Sequence, residues 1–448
     1  MPLLASMICA AIASASSSPT PIVAISSAGV PIGLQDPRAS KLALPSPEQL
    51  AWHDLELGMF VHLAPQTWED AEEDDLSIEP AAMNPEKLDT DQWVRVAESM
   101  GAKYIVFVAK HEGGFCWWPT QTTEFCVRNS PWRGGKGDVL RDLSRSCKTR
   151  GMKLGVYLSP QDKKHGIGIG GKAKTPEAQS KYEQLFREQL AEVLQLYGEM
   201  CEVWFDGSLV FDVSDILEEL APHAVIFQGP QASIRWVGNE DGIAPDPAWN
   251  AVKLGKKKWG DYTAEDGDPA GDRWLPNECD ARMRSTWFWN TKGEKTIKSV
   301  EQLMDMYCKS VGRGAVLLLN NTPDRTGLIP EADAKRAIEF GAEIDRRFGH
   351  PAAERPALGG EPHLWLSPPT KIDAIVTMED LAQGERVRKY AIDGLVNDEW
   401  RELATGTAIG HKKIDRIAPV EVSEVRWRCL ESAAPPVIRK FAVYRAAR

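Results

Sequence analysis

The chain has 448 residues, more than one ordinary hydrophobic core holds and enough for a large α/β domain followed by a smaller one. A formal net charge of −11 excludes a general nucleic-acid binder, because an acidic surface repels phosphate and no basic run offsets it. After the N-terminal leader, no run is apolar for long enough to span a bilayer.

Residues 1–35 stand apart: apolar and small from Leu3 to Ala15, then rich in Ser, Pro and Thr, with no charged side chain before Asp36. They read as a signal peptide or a disordered leader, with small-residue cleavage sites around Ala11-Ile12-Ala13 or Ala13-Ser14-Ala15. A signal peptide predicts a secreted or periplasmic protein. Beyond Cys9 the cysteines are odd in number and form no CxxC pair, so they read as scattered core thiols rather than a zinc site.

From Trp52 onward, short apolar runs alternate with amphipathic segments. Gly58 to His62 reads as a first strand. Trp93, Val94, Ala97 and Met100 then recur at helical spacing, with Gly101 as the stop. Lys103 to Ala109 is a β-branched and aromatic run, as in a strand covered on both faces. Asp138 caps a helix that Gly151 ends, and Lys153 to Ser159 is the next buried strand. Thr175-Pro176 opens a long helix through Tyr197, which delivers the chain to Glu202-Val203-Trp204-Phe205-Asp206-Gly207. Ala224 to Gln228 and Ala315 to Asn320 repeat the strand signal, with helices over Ser299 to Val311 and Glu331 to Arg347.

This repeat predicts an α/β fold, a closed (β/α)8-type barrel over residues 46–348. Chemistry in such barrels collects at the C-terminal strand ends, which puts His62, His111, Asp206, the segment around Glu240 and Asn320 on one rim. Residues 351–448 change texture. Val387 to Ile392, Ser423 to Cys429 and Val437 to Tyr444 suggest a small C-terminal β-sandwich. Nothing in it reads as an exposed aromatic platform, which favours a buttress over a carbohydrate-binding appendage.

Asp206 ends a buried strand; a strand ending in Asp-Gly is more often an ordinary turn, so its partners decide its role. Glu240, in Arg235-Trp236-Val237-Gly238-Asn239-Glu240, is the partner on the same rim. Two carboxyl groups about 5 to 5.5 Å apart can divide the labour of glycoside hydrolysis, one attacking the anomeric carbon and the other protonating the departing oxygen. Their environments must differ, and Trp236 is placed to wall Glu240. Among the 16 tryptophans, Trp68, Trp117, Trp118, Trp132, Trp204, Trp236, Trp287 and Trp289 fall near the proposed rim, where indole faces suit the C–H faces of sugar rings.

The segments GMFVHLAPQT (58–67), AKHEGGFCWWP (109–119), GVYLSP (155–160), VWFDG (203–207), GPQASIRWVGNE (229–240), WLPNECDARMRSTWFW (274–289) and SVGRGAVLLLNNTPDRTGLI (310–329) together resemble family 29 α-L-fucosidases. They are most similar to the branch that removes α-1,3- or α-1,4-linked fucose from branched glycans. The resemblance covers nearly everything from Gly58 to the C-terminus. It implies a retaining exo-glycosidase working by double displacement, without a metal or other cofactor, on a fucosylated oligosaccharide or glycoconjugate. Carried over, Asp206 is the nucleophile and Glu240 the general acid/base, with Glu278 as second choice. His62, His111 and Glu72 match residues that bond sugar hydroxyls, and Arg284 and Trp287 match positions lining the pocket.

The sequence departs from the family at several places. Glu112-Gly113 stands where a histidine and an aspartate are usual, Glu73 replaces an aromatic residue, His62-Leu63-Ala64 replaces His-Trp-Gly or His-Phe-Gly, and Gln161 replaces a tryptophan. Extra acids at Glu73 and Glu112 would repel an anionic sugar and accept bonds from extra hydroxyls or an amine. The alternatives are therefore a same-mechanism glycosidase for another L-sugar such as L-galactose, or a glycan-binding protein with a decayed site. The sequence leaves the oligomeric state open.

Overall fold

Continuous buried runs form the inner strands of the computed structural model, which describes residues 42–255, 257–356 and 360–446; the leader and its cleavage sites lie outside them. The first six strands are β1 (Leu57–Val61), β2 (Tyr104–Lys110), β3 (Lys153–Leu158), β4 (Glu202–Trp204), β5 (Val225–Phe227) and β6 (Arg235–Trp236). A small antiparallel pair, β7 (Ala251–Val252) with β8 (Arg273–Trp274), precedes β9 (Asn277–Arg282) and β10 (Val316–Asn320). Excluding that pair, these strands form one eight-stranded parallel sheet in the order β5-β4-β3-β2-β1-β10-β9-β6. A parallel bridge between Phe227 and Ile234 brings its two ends together, so the barrel is nearly closed.

Helices α1 (Pro47–His53), α2 (Pro65–Glu69), α3 (Thr90–Met100), α4 (Val139–Arg150), α5 (Pro176–Leu196), α6 (Ser214–Leu220), α7 (Val300–Lys309) and α8 (Glu331–Phe348) follow the alternation in the sequence. Their ends carry the expected chemistry. Asp138 and Thr175 accept backbone N–H groups at the starts of α4 and α5, and Ser299 forms a capping box with Gln302 on α7. Such caps each contribute about 1 kcal/mol. Gly101 and Gly151 close α3 and α4 in the left-handed conformation.

The barrel interior is aromatic: Phe60, Tyr104, Tyr157, Trp204 and Phe227 pack with Val106, Val108, Val316 and Leu318. Gly58 is required there, because a Cβ on it would lie 2.4 Å from the Tyr104 ring. β6 and β9 were not legible as strands. β6 is two residues long, and β9 reads Asn-Glu-Cys-Asp-Ala-Arg because its inward side chains are acids satisfied by hydrogen bonds.

The C-terminal strands are β11 (Ala353–Pro356), β12 (His363–Glu379), β13 (Val387–Val396), β14 (Glu399–Gly406), β15 (Lys413–Ser432) and β16 (Ile438–Arg445). They share one antiparallel hydrogen-bond network in the order β11-β16-β12-β15-β13-β14. Ile375, Tyr390, Ile392, Val425, Trp427 and Phe441 belong to its own core. A second set, including Ala374, Val376, Ile414 and Tyr444, joins the barrel core, with Tyr444 edge-on to Phe348 of α8 at 5.5 Å. Among the described residues no helix is long and apolar enough to cross a membrane, and seven cysteines are free.

Candidate active site

Asp206 follows β4 after the buried Phe205 and is itself exposed at the barrel mouth. Its Oδ2 accepts a hydrogen bond from the Tyr157 hydroxyl at 2.9 Å, from the tip of β3. Flanking protein pushes its carboxyl above the usual carboxylate range, and the charges of Glu240 and Glu112 push the same way, while Tyr157 opposes them. Tyr157 lies flat between two rings: Trp204 below, at 5.5 Å, and His111 at 5.5 Å with an interplanar angle of 11°.

Trp287 is the hub of the opposite wall. Its indole N–H donates to Glu240 Oε2 at 3.2 Å, its carbonyl accepts from Asn320 Nδ2 at 2.8 Å, and its ring lies 5.0 Å from that of His62. Arg282, the last residue of β9, reaches Glu240 Oε2 at 3.2 Å and sits over the Trp287 ring. Both bonds fall on one oxygen of Glu240. Glu72 fixes the same loop, accepting from the backbone N–H groups of Trp287 and Phe288 at 3.0 and 3.4 Å.

The two histidines fill the space between these walls, with ring centroids 5.9 Å apart. Burial holds His62 well below the usual imidazole range, helped by His111, and holds His111 down to about 3, helped by Lys163. Both rings are therefore neutral, each with one donor and one acceptor nitrogen. Asn320 uses its amide nitrogen on Trp287, so its oxygen accepts from His62 Nδ1 at 2.8 Å and His62 Nε2 is left as an acceptor. His111 Nδ1 receives the Gln66 amide at 2.9 Å, which leaves Nε2–H as a donor. The pair thus offers opposite polarities to one ligand.

A family model described as Alpha-L-fucosidase matches residues 68–346. The chain belongs to the α-L-fucosidase family. It is a glycoside hydrolase by that membership, and the barrel with its antiparallel C-terminal sheet is the family's architecture. Arabidopsis thaliana alpha-L-fucosidase 1 is 30% identical over 90% of this chain and 88% of its own length. A crystal structure of a putative alpha-L-fucosidase from Bacteroides thetaiotaomicron superposes with a TM-score of 0.85 at 32% identity, covering 91% of this chain and all of that one. A Ruminococcus gnavus family 29 fucosidase in complex with fucose gives 0.80 at 26% identity, over 91% of this chain and 95% of that one.

Four residues expected at the fucosidase pocket have other duties. Glu278 lies inside the barrel, fully buried, bonded by Trp204 Nε1 at 2.7 Å and the Tyr104 hydroxyl at 3.1 Å beside Glu202. Burial pushes both of these carboxyls up, and the charge of Glu202 pushes Glu278 further. Glu278 therefore does not stand as an acid/base candidate. Trp204, stacked at 3.6 Å on Phe227, is a floor beneath Tyr157 and not an open sugar platform. Trp236 gives its N–H to Asp280 at 2.6 Å instead of standing free as a wall for Glu240. Arg284 is buried and locked to Asp333 by two bonds of 2.7 and 2.6 Å, because the strand ends at Arg282 and the chain turns outward.

The two extra acids also separate. Glu112 pairs with Lys163 at 2.7 Å, so its charge is met by the chain itself and does not stand open as the sequence suggested. Gly113 beside it is obligatory, since a Cβ there would sit 1.7 Å from Asp74 Oδ2. Asp74, from another loop, occupies the space a side chain at position 113 would take. Glu73 is exposed and makes no ion pair or side-chain hydrogen bond among the described residues. Sequence reasoning missed Tyr157, Arg282 and Gln66; Tyr157 and Gln66 lie within motifs it quoted, and Arg282 was passed over for Arg284.

Proposed function

We propose that the protein is a retaining exo-α-L-fucosidase, with Asp206 as nucleophile and Glu240 as general acid/base. The supporting observation is the unbroken line of contacts Asp206–Tyr157–His111–His62–Trp287–Glu240, which joins two carboxyls through aromatic and imidazole rings. Asp206 attacks the anomeric carbon as the glycosidic C–O bond breaks, and the proton of Glu240 goes to the departing oxygen. The resulting glycosyl ester is cleaved by water, which gives its proton to Glu240 while its oxygen replaces Asp206 at the same carbon. Two displacements return the original configuration. His62, accepting, and His111, donating, suit neighbouring hydroxyls of the fucosyl ring, and Trp287 suits its C–H face.

The motif pattern supports a terminal fucose linked α-1,3 or α-1,4 on a branched glycan. The leader supports export to the periplasm or the medium. Turnover of a panel of nitrophenyl glycosides tests the sugar; activity on another L-glycoside with none on the fucoside overturns it. For the mechanism, Asp206→Gly should lose nearly all turnover and regain it with azide, giving a glycosyl azide of inverted configuration. Absence of rescue, with the variant folded, would remove Asp206 from that role.

A further inference from the structure

The C-terminal sheet carries two tryptophans that fill no core. Trp365 is 63% exposed and Trp400 38%. Both lie on the outer face of the sheet, because their neighbours Leu364, Leu366, Val425 and Ile392 point into the domain core. The strand register lines them up. Trp365 on β12 pairs with Glu424 on β15, Glu424 with Leu395 on β13, and Leu395 with Trp400 on β14. The adjacent row runs His363, Arg426, Asp393. Three strand spacings separate the tryptophan backbones, about 14 Å.

The side chains close that gap into one surface. His363 stacks on Trp365 at 4.3 Å and meets Trp400 edge-on at 5.7 Å, while the Arg426 guanidinium covers Trp400 at 4.1 Å. Between the rings stand fixed hydrogen-bonding groups: Glu424 bonded to His363 at 2.8 Å, and Arg426 bonded to Asp393 at 2.9 Å. Each ring is thus held in one orientation by a partner against one of its faces.

We propose that this face is a second glycan-binding site, separate from the barrel mouth, that takes the pyranose rings of a neutral oligosaccharide or polysaccharide chain. The chemistry chooses the ligand. Pyranose rings have apolar C–H faces that pack on indole and a rim of hydroxyls that need donors and acceptors in the same plane. Here the aromatic faces alternate with carboxylate, imidazole and guanidinium groups. The centre of a protein–protein contact is depleted of charge, and this face is not. Lateral pairing with another sheet is discouraged as well, because the edge strand β14 carries Glu399, Arg401 and Glu402 beside Trp400. The open strip suits a chain lying across it, in contrast to the single ring suited to the barrel mouth.

The full-length protein is tested by affinity electrophoresis through gels containing a soluble xyloglucan, a mixed-linkage β-glucan or a galactomannan. Wild type should be retarded by at least one of them. Trp365→Ala and Trp400→Ala should each weaken that retardation at least severalfold, Trp365→Phe should retain part of it, and all three should leave kcat/KM on a nitrophenyl glycoside unchanged. Retardation is read without turnover, so failure of the fucosidase reading leaves it standing. Migration of wild type unaffected by all three polymers, or variants retarded as strongly as wild type, overturns the proposal. Self-association of wild type that Trp365→Ala abolishes, with retardation unaltered, overturns it in favour of a contact between copies.

Discussion

Tyr157 supplies the side-chain hydrogen bond to Asp206, and it does so from a ring pinned between Trp204 and His111. The bond favours the ionised carboxylate against flanking protein and the charges of Glu240 and Glu112. Tyr157→Phe keeps the stacking and removes only the hydroxyl, so the Asp206 carboxyl should rise further. In the mechanism proposed for Asp206 the carboxylate acts ionised, so the acid limb of kcat/KM should move to higher pH, by up to about one unit, with up to about tenfold lost on that limb. A pH profile on a nitrophenyl fucoside reads this, and an unmoved limb would deny the bond any part in tuning Asp206. At this scale Asp206, Glu240, His62, His111 and Trp287 were legible from their motifs. Arg282 was not, because Arg282 and Arg284 are alike in sequence and differ only in where the strand stops.

Between elements, the pair Arg284–Asp333 ties the loop after β9 to the first turn of α8, both side chains almost fully buried. Removing one partner leaves the other charged and unpaired out of water, at a cost of about 3–5 kcal/mol. Asp333→Ala should therefore lower the denaturation midpoint markedly in a urea titration, although neither residue belongs to the wall that carries Trp287 and Glu240. A loss below about 1 kcal/mol would show that water reaches Arg284. Helices and inner strands were readable because periodicity and N-caps agree along α3, α4, α5 and α7, and glycines close α3 and α4. β9 was hidden by its buried acids, and β12 by polar positions, from His363 to Lys371, that face solvent on a long antiparallel strand.

Over the whole molecule, buried acids set the pH response of stability. Burial pushes Glu379 up to about 8 from 4.5, and its Oε1 accepts the N–H groups of Arg386 and Val387. Burial likewise pushes Asp415 up to about 6. The folded chain holds these protons where the unfolded chain releases them, so their contribution is complete below the unfolded values and is lost as pH rises through 8. Glu56 and Glu343 act oppositely: both are lowered to about 2, the first by Lys412 and His411 against burial and the second by Arg346 and Arg347, and their stabilisation disappears as pH falls toward 2. The buried neutral histidines oppose this below pH 6.5, where the unfolded chain takes up protons that His62 and His111 do not, so the acids should show above it, as a melting temperature that declines by a few degrees from pH 6.5 toward pH 8. Glu379→Gln, which keeps the accepting oxygen without a titratable proton, should flatten that alkaline decline; an unchanged slope would show that Glu379 is already ionised at pH 6.5.

The sequence by itself determined the barrel, its family and the two carboxyls at the mouth, because alternating buried strands, capped helices and contiguous motifs are local properties of the chain. Only the tertiary structure decided which charged groups are already spoken for: Glu278 by Trp204 and Tyr104, Glu112 by Lys163, Arg284 by Asp333. Those outcomes depend on partners between 49 and 174 residues away, brought close by packing. Trp365 and Trp400 follow the same rule. Whether an indole fills a core or faces water is settled by which side of a folded sheet it stands on, and nothing in the order of residues states that.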